Sequence, residues 1–204
     1  IGQIAGSTSA PMTTIHTNFT TSDQPDAVSS TLIGSTPELK QVADLAMFDG
    51  QFLTNSSNGS SMVVGHQLAI DLFGTEHAIG NVVMVRGQNF TITGVLKATN
   101  QPVSYHGVDF DNSAIILLDT LKQFTQDIVQ IQQIIIMADQ EQSISDITKE
   151  AEQILSSNHD QEQDYVILSG QSITTPSNQL LSTITLTVAI IAGISLLVGG
   201  IGIM

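Results

Sequence analysis

Residues 65–96 read GHQLAIDLFGTEHAIGNVVMVRGQNFTITGVL, and their pattern commits the chain to a mixed α and β architecture. His66 to Phe73 places Leu68, Leu72 and Phe73 on one helical face. Gly74 follows at the position where helices close in the left-handed conformation. Gly80 then precedes two strands, Val82 to Arg86 and Phe90 to Leu96, joined by Gly87-Gln88-Asn89. In the second strand Phe90, Ile92, Gly94 and Leu96 alternate with Thr91, Thr93 and Val95, the period of a half-buried hairpin strand.

Upstream, TTIHTNFT (residues 13–20) alternates with period two, and Val28 to Ile33 forms a second strand after the turn-like SDQPD. Thr36-Pro37-Glu38 is a helix start, with Thr36 as cap, Pro37 at the first helical position and Glu38 at the positive end of the dipole. That helix ends near Leu45. Phe48 to Leu53 reads as a turn between apolar anchors, Asn55 to Ser61 as a polar exposed loop, and Met62 to Val64 as a strand.

Downstream, Asn100 to Asn112 reads as a loop, and Ala114 to Leu118 and Ile131 to Ala138 as strands. Ser143 to Ser157 carries Ile144, Ile147, Ala151, Ile154 and Leu155 on one helical stripe, with Ser143 and Asp146 as a capping box. Tyr165 to Leu168 is expected to be a last short strand, completing a βαβ-like unit. Thr174-Thr175-Pro176 opens a helix that runs into the most apolar stretch of the chain.

That stretch, Leu180 to Met204, is LLSTITLTVAIIAGISLLVGGIGIM, and from Ile184 onward it contains no charge, amide or proline. A helix of this length spans roughly 30 Å, about the hydrocarbon thickness of a bilayer. A transmembrane helix over 176–204, cut within or at the end of the span, is the expectation. No Lys or Arg follows Lys149, and the chain holds 5 Lys and Arg against 19 Asp and Glu. Cytoplasmic flanks of a span are enriched in Lys and Arg, so the acidic bulk of the chain is expected outside the cytoplasm.

The net charge of −14 argues against nucleic acid and against docking flat on anionic lipid. Without cysteine there is no disulfide framework, thiolate metal site or cysteine nucleophile. No G-x-x-x-x-G-K-[ST] loop or G-x-S-x-G elbow occurs. His16, His66, His77, His106 and His159 lack metal-ligand spacing, and Asp109 and Asp111 lack the glycine and closing Glu of a calcium loop. No catalytic, cofactor-binding or metal-binding residue is therefore assigned. Asn18, Asn55 and Asn58 begin formal N-x-[ST] acceptors, a pattern short enough to arise by chance. Within the apolar run, small residues Ala189 and Gly193, and Ser195 and Gly199, lie four apart. With Gly200 and Gly202 they are candidate positions for close packing against neighbouring spans.

Three stretches resemble the MacB/FtsX-type ABC transporter permeases. Residues 65–96 resemble the family's helix–LFG–IG–strand–G–F-x-(V/I)-x-GVL pattern, carried by Leu72-Phe73-Gly74, Ile79-Gly80 and Phe90 to Leu96. SSNHDQEQDYVILS (156–169) is similar to the family's helix end, His and Asp-Tyr strand. IAGISLLVGGIGIM (191–204) resembles the start of its second transmembrane helix. The resemblance implies an α+β, two-lobed extracytoplasmic domain followed by one transmembrane helix. Residues 1–40 and 126–175 would form a membrane-proximal α/β lobe, and 41–125 an inserted, mainly β lobe. It also implies no enzyme activity in this chain, with ATP bound by a separate ABC ATPase domain or subunit. The permease would sit in a bacterial cell membrane with most of this chain outside, as a homodimer or paired permease beside a periplasmic or cell-surface adaptor. Cytoplasmic ATP hydrolysis would be passed mechanically to export or other extracytoplasmic work. The alternative is a membrane-anchored regulatory or interaction domain, such as an activator of a cell-wall hydrolase, without transport.

Overall fold

Ser7–Thr20 forms a 14-residue strand, β1, long enough to serve three neighbours. One edge pairs antiparallel with β2 (Val28–Ser35) from Met12↔Ser35 to Phe19↔Val28. The other edge pairs first with β8 (Gln133–Ala138), from Ser7↔Ala138 to Met12↔Gln133, and then with β5 (Val82–Val85) at Phe19↔Val85. These relations come from a computed structural model that describes residues 4, 7–22, 26–57, 59–99, 107–125, 130–138, 144–158, 165–168, 188 and 192.

The remaining strands are β3 (Met47–Gly50), β4 (Ser61–Val64), β6 (Gln88–Leu96) and β7 (Ser113–Leu117). Among the described residues the eight strands make one mixed sheet. Following its pairings, β1, β2, β7, β4, β6 and β5 return to β1 in a closed circuit. The β2–β7 and β4–β6 ladders are parallel, and the other pairings are antiparallel. Closure leaves only β3 and β8 as branches off the ring, which limits the exposed strand edge that a sheet must protect.

Successive residues of the ring strands feed two separate cores, as the period of two requires. Phe19, Leu32, Met62, Val64, Val83, Val85, Phe90, Ile92, Ala114 and Ile116 pack together with Leu68, Ala69 and Leu72 of α2 (His66–Phe73) and Leu121 of α3 (Leu118–Phe124). Ile33, Val63 and Ile115, the alternate residues, join Met12, Leu96, Phe52, Leu53 and Phe110 on the other side, with Leu39 of α1 (Leu39–Val42). Both sheet faces are thus covered. Each fully buried side chain, such as Phe19 or Phe90, contributes about 2 kcal/mol.

The structure places α2 over the expected residues and closes it at Gly74, whose φ is 70°. Several sequence expectations are corrected. The hairpin turn is Arg86-Gly87, with φ of 48° and 83°, so Gln88 and Asn89 belong to β6. The alternation of β6 breaks where Met62 faces Ile92 but Val63 faces Gly94. This bulge sends Val95 into the first core and Leu96 into the second. Phe48 lies in a strand, not a turn, and α1 covers only four residues. Thr36 does not cap α1: its carbonyl receives the Leu39 N–H at 3.1 Å, while its hydroxyl is buried without a partner. Helix α3 was not expected. It packs on β2 so closely that a Cβ on Gly34 would lie 2.9 Å from Leu121 Cβ.

The chain divides into two units, Ile1–Gln140 and Glu141–Met204. β2 pairs with β7 and β1 with β5, so ladders of one sheet link residues on either side of position 40/41. In the second unit, α4 (Ile144–Asn158) buries Ile147 and Ala151, half-buries Ile154 and Leu155, and exposes Ile144. Tyr165 to Leu168 is not a strand, and Val166 is 82% exposed. The span expected over 176–204 lies outside the described residues apart from the helical Val188 and Ala192. Among the described residues no helix is long and apolar enough to cross a membrane.

Candidate functional site

At two places the fold brings together residues from distant segments of the chain. The first is the start of α2. Its N-cap, Gly65, donates its N–H to Ser113 O at 2.8 Å, and the next donors, Gln67 and Leu68, both reach Asp111 O, at 2.9 and 3.1 Å. Two of the orphan N–H groups of the helix start, those of Gln67 and Leu68, are thus satisfied by a backbone carbonyl of the 107–112 loop, and no side chain caps the helix. That loop is held in turn by its own carboxylates. Asp109 Oδ1 accepts from the Asp111 and Asn112 N–H groups, and Asp111 accepts from the Thr99 N–H and, at 2.9 Å, from the Thr99 hydroxyl. Asp109 therefore acts as a turn-forming acceptor, and Asp111 ties the loop to Thr99. His106 lies outside the described residues.

The second place joins β3, α2 and the 75–79 loop. The Phe48 ring meets the His66 ring edge-on, with centroids 6.4 Å apart and planes at 79°, and the His77 ring at 5.5 Å and 47°. Such offset and edge contacts suit the ring quadrupoles. His77 Nδ1 stands 3.7 Å from Asp49 Oδ2, and His66 Nε2 stands 3.8 Å from Glu76 Oε1. Both separations exceed hydrogen-bond range. His66 Nδ1 is buried without a partner. Among the described residues no hydrogen bond joins either imidazole to a Ser or Thr hydroxyl; the Thr75 hydroxyl instead accepts from the His77 backbone N–H at 3.2 Å. No group of three His, Asp or Glu is arranged to hold a metal ion there.

His16 sits on β1 with its Nδ1 3.2 Å from the Thr31 hydroxyl. Asn18 is exposed on β1 and Asn55 lies in an exposed turn, while Asn58 and His159 are outside the described residues. So are the candidate packing positions Ala189, Gly193, Ser195, Gly199, Gly200 and Gly202. The meeting of Phe48 with His66 and His77 left no mark in the sequence. It depends on β3 pairing with β6, and no local pattern encodes a ladder of that sequence separation.

The fold and sequence have relatives. The chain is 29% identical over 156 residues to the ABC transporter permease YknZ of Bacillus subtilis, matching 76% of this chain and 37% of that protein. It is 27% identical over 193 residues to the macrolide export ATP-binding/permease protein MacB of Wolinella succinogenes, matching 93% of this chain and 29% of that protein. The chain thus spans well under half the length of these relatives. In structure it resembles the periplasmic region of MacB from Actinobacillus actinomycetemcomitans. The TM-score is 0.70 with 17% identity, over 83% of this chain and 75% of that one. Residues 3–154, which hold the whole sheet together with α1, α2 and α3, match one family throughout, and the chain belongs to it: the MacB-like periplasmic core domain.

Proposed function

We propose that this chain is the extracytoplasmic domain of an ABC permease subunit, in which ATP hydrolysis by a cytoplasmic partner is transmitted mechanically to export or other work outside the membrane. The register Ser7↔Ala138 carries this reading. It sets the first strand of the sheet beside the last, which suits a domain suspended between two membrane spans. In the same reading residues 1–40 and 126–175 are proposed as the membrane-proximal lobe and 41–125 as the inserted lobe. The span over 176–204 then anchors the domain, with Ala189, Gly193, Ser195, Gly199, Gly200 and Gly202 packing against neighbouring spans. The permease works as a pair beside an ATPase and an adaptor.

Two measurements test this. Single cysteines at the exposed Ser60 and Asn89 of the full-length protein are expected to react with a membrane-impermeant thiol reagent on intact cells, or on spheroplasts where an outer membrane blocks access. Labelling only after lysis reverses the topology and removes the reading. The purified 204-residue chain is also expected to show no ATP turnover above a mock preparation, because it has no P-loop. Turnover above that background contradicts a separate ATPase.

A further inference from the structure

Residues 41–85 contain four carboxylates, Asp44, Asp49, Asp71 and Glu76, and neither a lysine nor an arginine. Within this stretch the structure gathers an exposed apolar centre. Phe48 is 41% exposed and Ile79 42%. Ile79 Cδ1 lies 2.8 Å from where a Cβ on Gly50 would stand, two residues along β3 from Phe48. The imidazoles of His66 and His77 flank the Phe48 ring. Beside them runs a shallow depression lined by Ile70, Gly74, Thr75, Glu76 and His77. The side chains of Asp49 and Glu76, 47% and 41% exposed, form the rim.

We propose that this face docks a basic, apolar-tipped segment of a partner protein. Its apolar side chain seats on Phe48 and Ile79, and its flanking Lys or Arg residues meet Asp49 and Glu76. An aromatic anchor ringed by polar residues that exclude water is the arrangement in which a few contacts carry most of the binding energy. The rim carboxylates Asp49 and Glu76 select a basic partner and speed encounter, while the exposed Lys97 stands off the rim beside Ala46. Charge complementarity also decides against other occupants. A second copy of this surface would bring its own carboxylates against these, and a chain of net charge −14 is repelled by anionic lipid. The surface is independent of the transport reading, so the failure of either leaves the other standing.

The test uses the 204-residue chain and three fluorescein-labelled twelve-residue peptides, followed by anisotropy. One carries Lys and Arg around a central Leu-Phe. The second replaces those bases by Glu, and the third replaces Leu-Phe by Ser-Ser. The first is expected to bind, and the other two to bind at least about tenfold more weakly. Phe48→Ala is expected to weaken the first peptide by about tenfold or more, and Phe48→Leu to restore most of that loss. Asp49→Asn combined with Glu76→Gln is expected to weaken it to a similar degree and to flatten its salt dependence while leaving the apolar centre in place. No binding of the first peptide overturns the proposal. So does equal binding of all three, or binding indifferent to Phe48. Decylammonium binding that depends on Phe48, in the absence of peptide binding, also overturns it, because the face is then a small-cation site.

Discussion

Gly65→Ala is expected to destabilise the protein by about 3 kcal/mol, at the upper end of what overpacking a close-packed site costs. A Cβ at Gly65 falls on the carbonyl oxygens of Phe110 and Asp111 and lies 2.6 Å from the Asp111 carbonyl carbon. These are backbone atoms, so no side-chain rotation relieves the clash. Moving the 107–112 loop instead pulls Asp111 O away from the Gln67 and Leu68 N–H groups, which uncaps α2. Leu68, Ala69 and Leu72 of that helix are buried in the first core, so the damage spreads into the ring. The φ of Gly65 is −70°, a value any residue adopts, so the loss is steric and not conformational. Gly59→Ala is the matched control. There a Cβ meets only Thr120 Oγ1 at 3.6 Å, an ordinary contact, and the same substitution is expected to be neutral or slightly stabilising. Thermal unfolding followed by circular dichroism checks both. The expected fall for Gly65→Ala is about 9 °C, at roughly 3 °C per kcal/mol for a chain of this size. Equal melting temperatures for the two variants refute the close-approach argument.

Replacing Gln179 and Leu180 by two glycines is expected to abolish ATP-driven movement of the domain in the full-length complex. Residues 177–187 contain no proline or glycine, so a helix opened at Pro176 can run unbroken into the apolar span. Under the transmission reading a continuous helix acts as a strut, whereas a glycine pair absorbs motion as chain entropy. Two glycines cost the local helix about 2 kcal/mol, at about 1 each. Spin labels on Asn89→Cys, exposed in β6, report the distance between paired domains. That distance is expected to shift when ATP is trapped with vanadate in the parent complex and to stay fixed in the glycine variant, while ATP hydrolysis continues in both. A shift of parental size in the variant reduces the segment to a tether. No shift in the parent complex removes mechanical transmission itself.

Local chemistry determined a good deal of this protein without help from the fold. The stop of α2 at Gly74 was legible because only a residue without a Cβ adopts φ of 70° at no steric cost. Residues 13–20 of β1 and the β2, β4, β7 and β8 segments were legible because apolar runs and period-two alternation encode strands whatever they pair with, whereas residues 7–12 of β1 were not. The charge asymmetry and the missing P-loop are facts of composition. The resemblance of residues 65–96 to one permease family agrees with the match over residues 3–154.

What tertiary structure alone decided is where those strands went and what met between them. Nothing local told β1 to divide one edge between β8 and β5, because that choice depends on residues more than sixty positions away. The bulge opposite Met62 and Val63 overrode the alternation of β6, since the extra residue, Thr93, shifts the side chains that follow by one place. The Arg86-Gly87 turn defeated the expected three-residue connection because two-residue turns with positive φ match the strand twist better, and Arg is an unusual residue to hold at 48°. Helix α3 escaped notice because its seven residues carry too little periodicity, and its place is fixed by Leu121 filling the space that Gly34 leaves open. The Phe48 face arose for the same reason. Ring contacts between a strand, a helix start and a loop are products of sheet pairing, and sequence order holds no record of them.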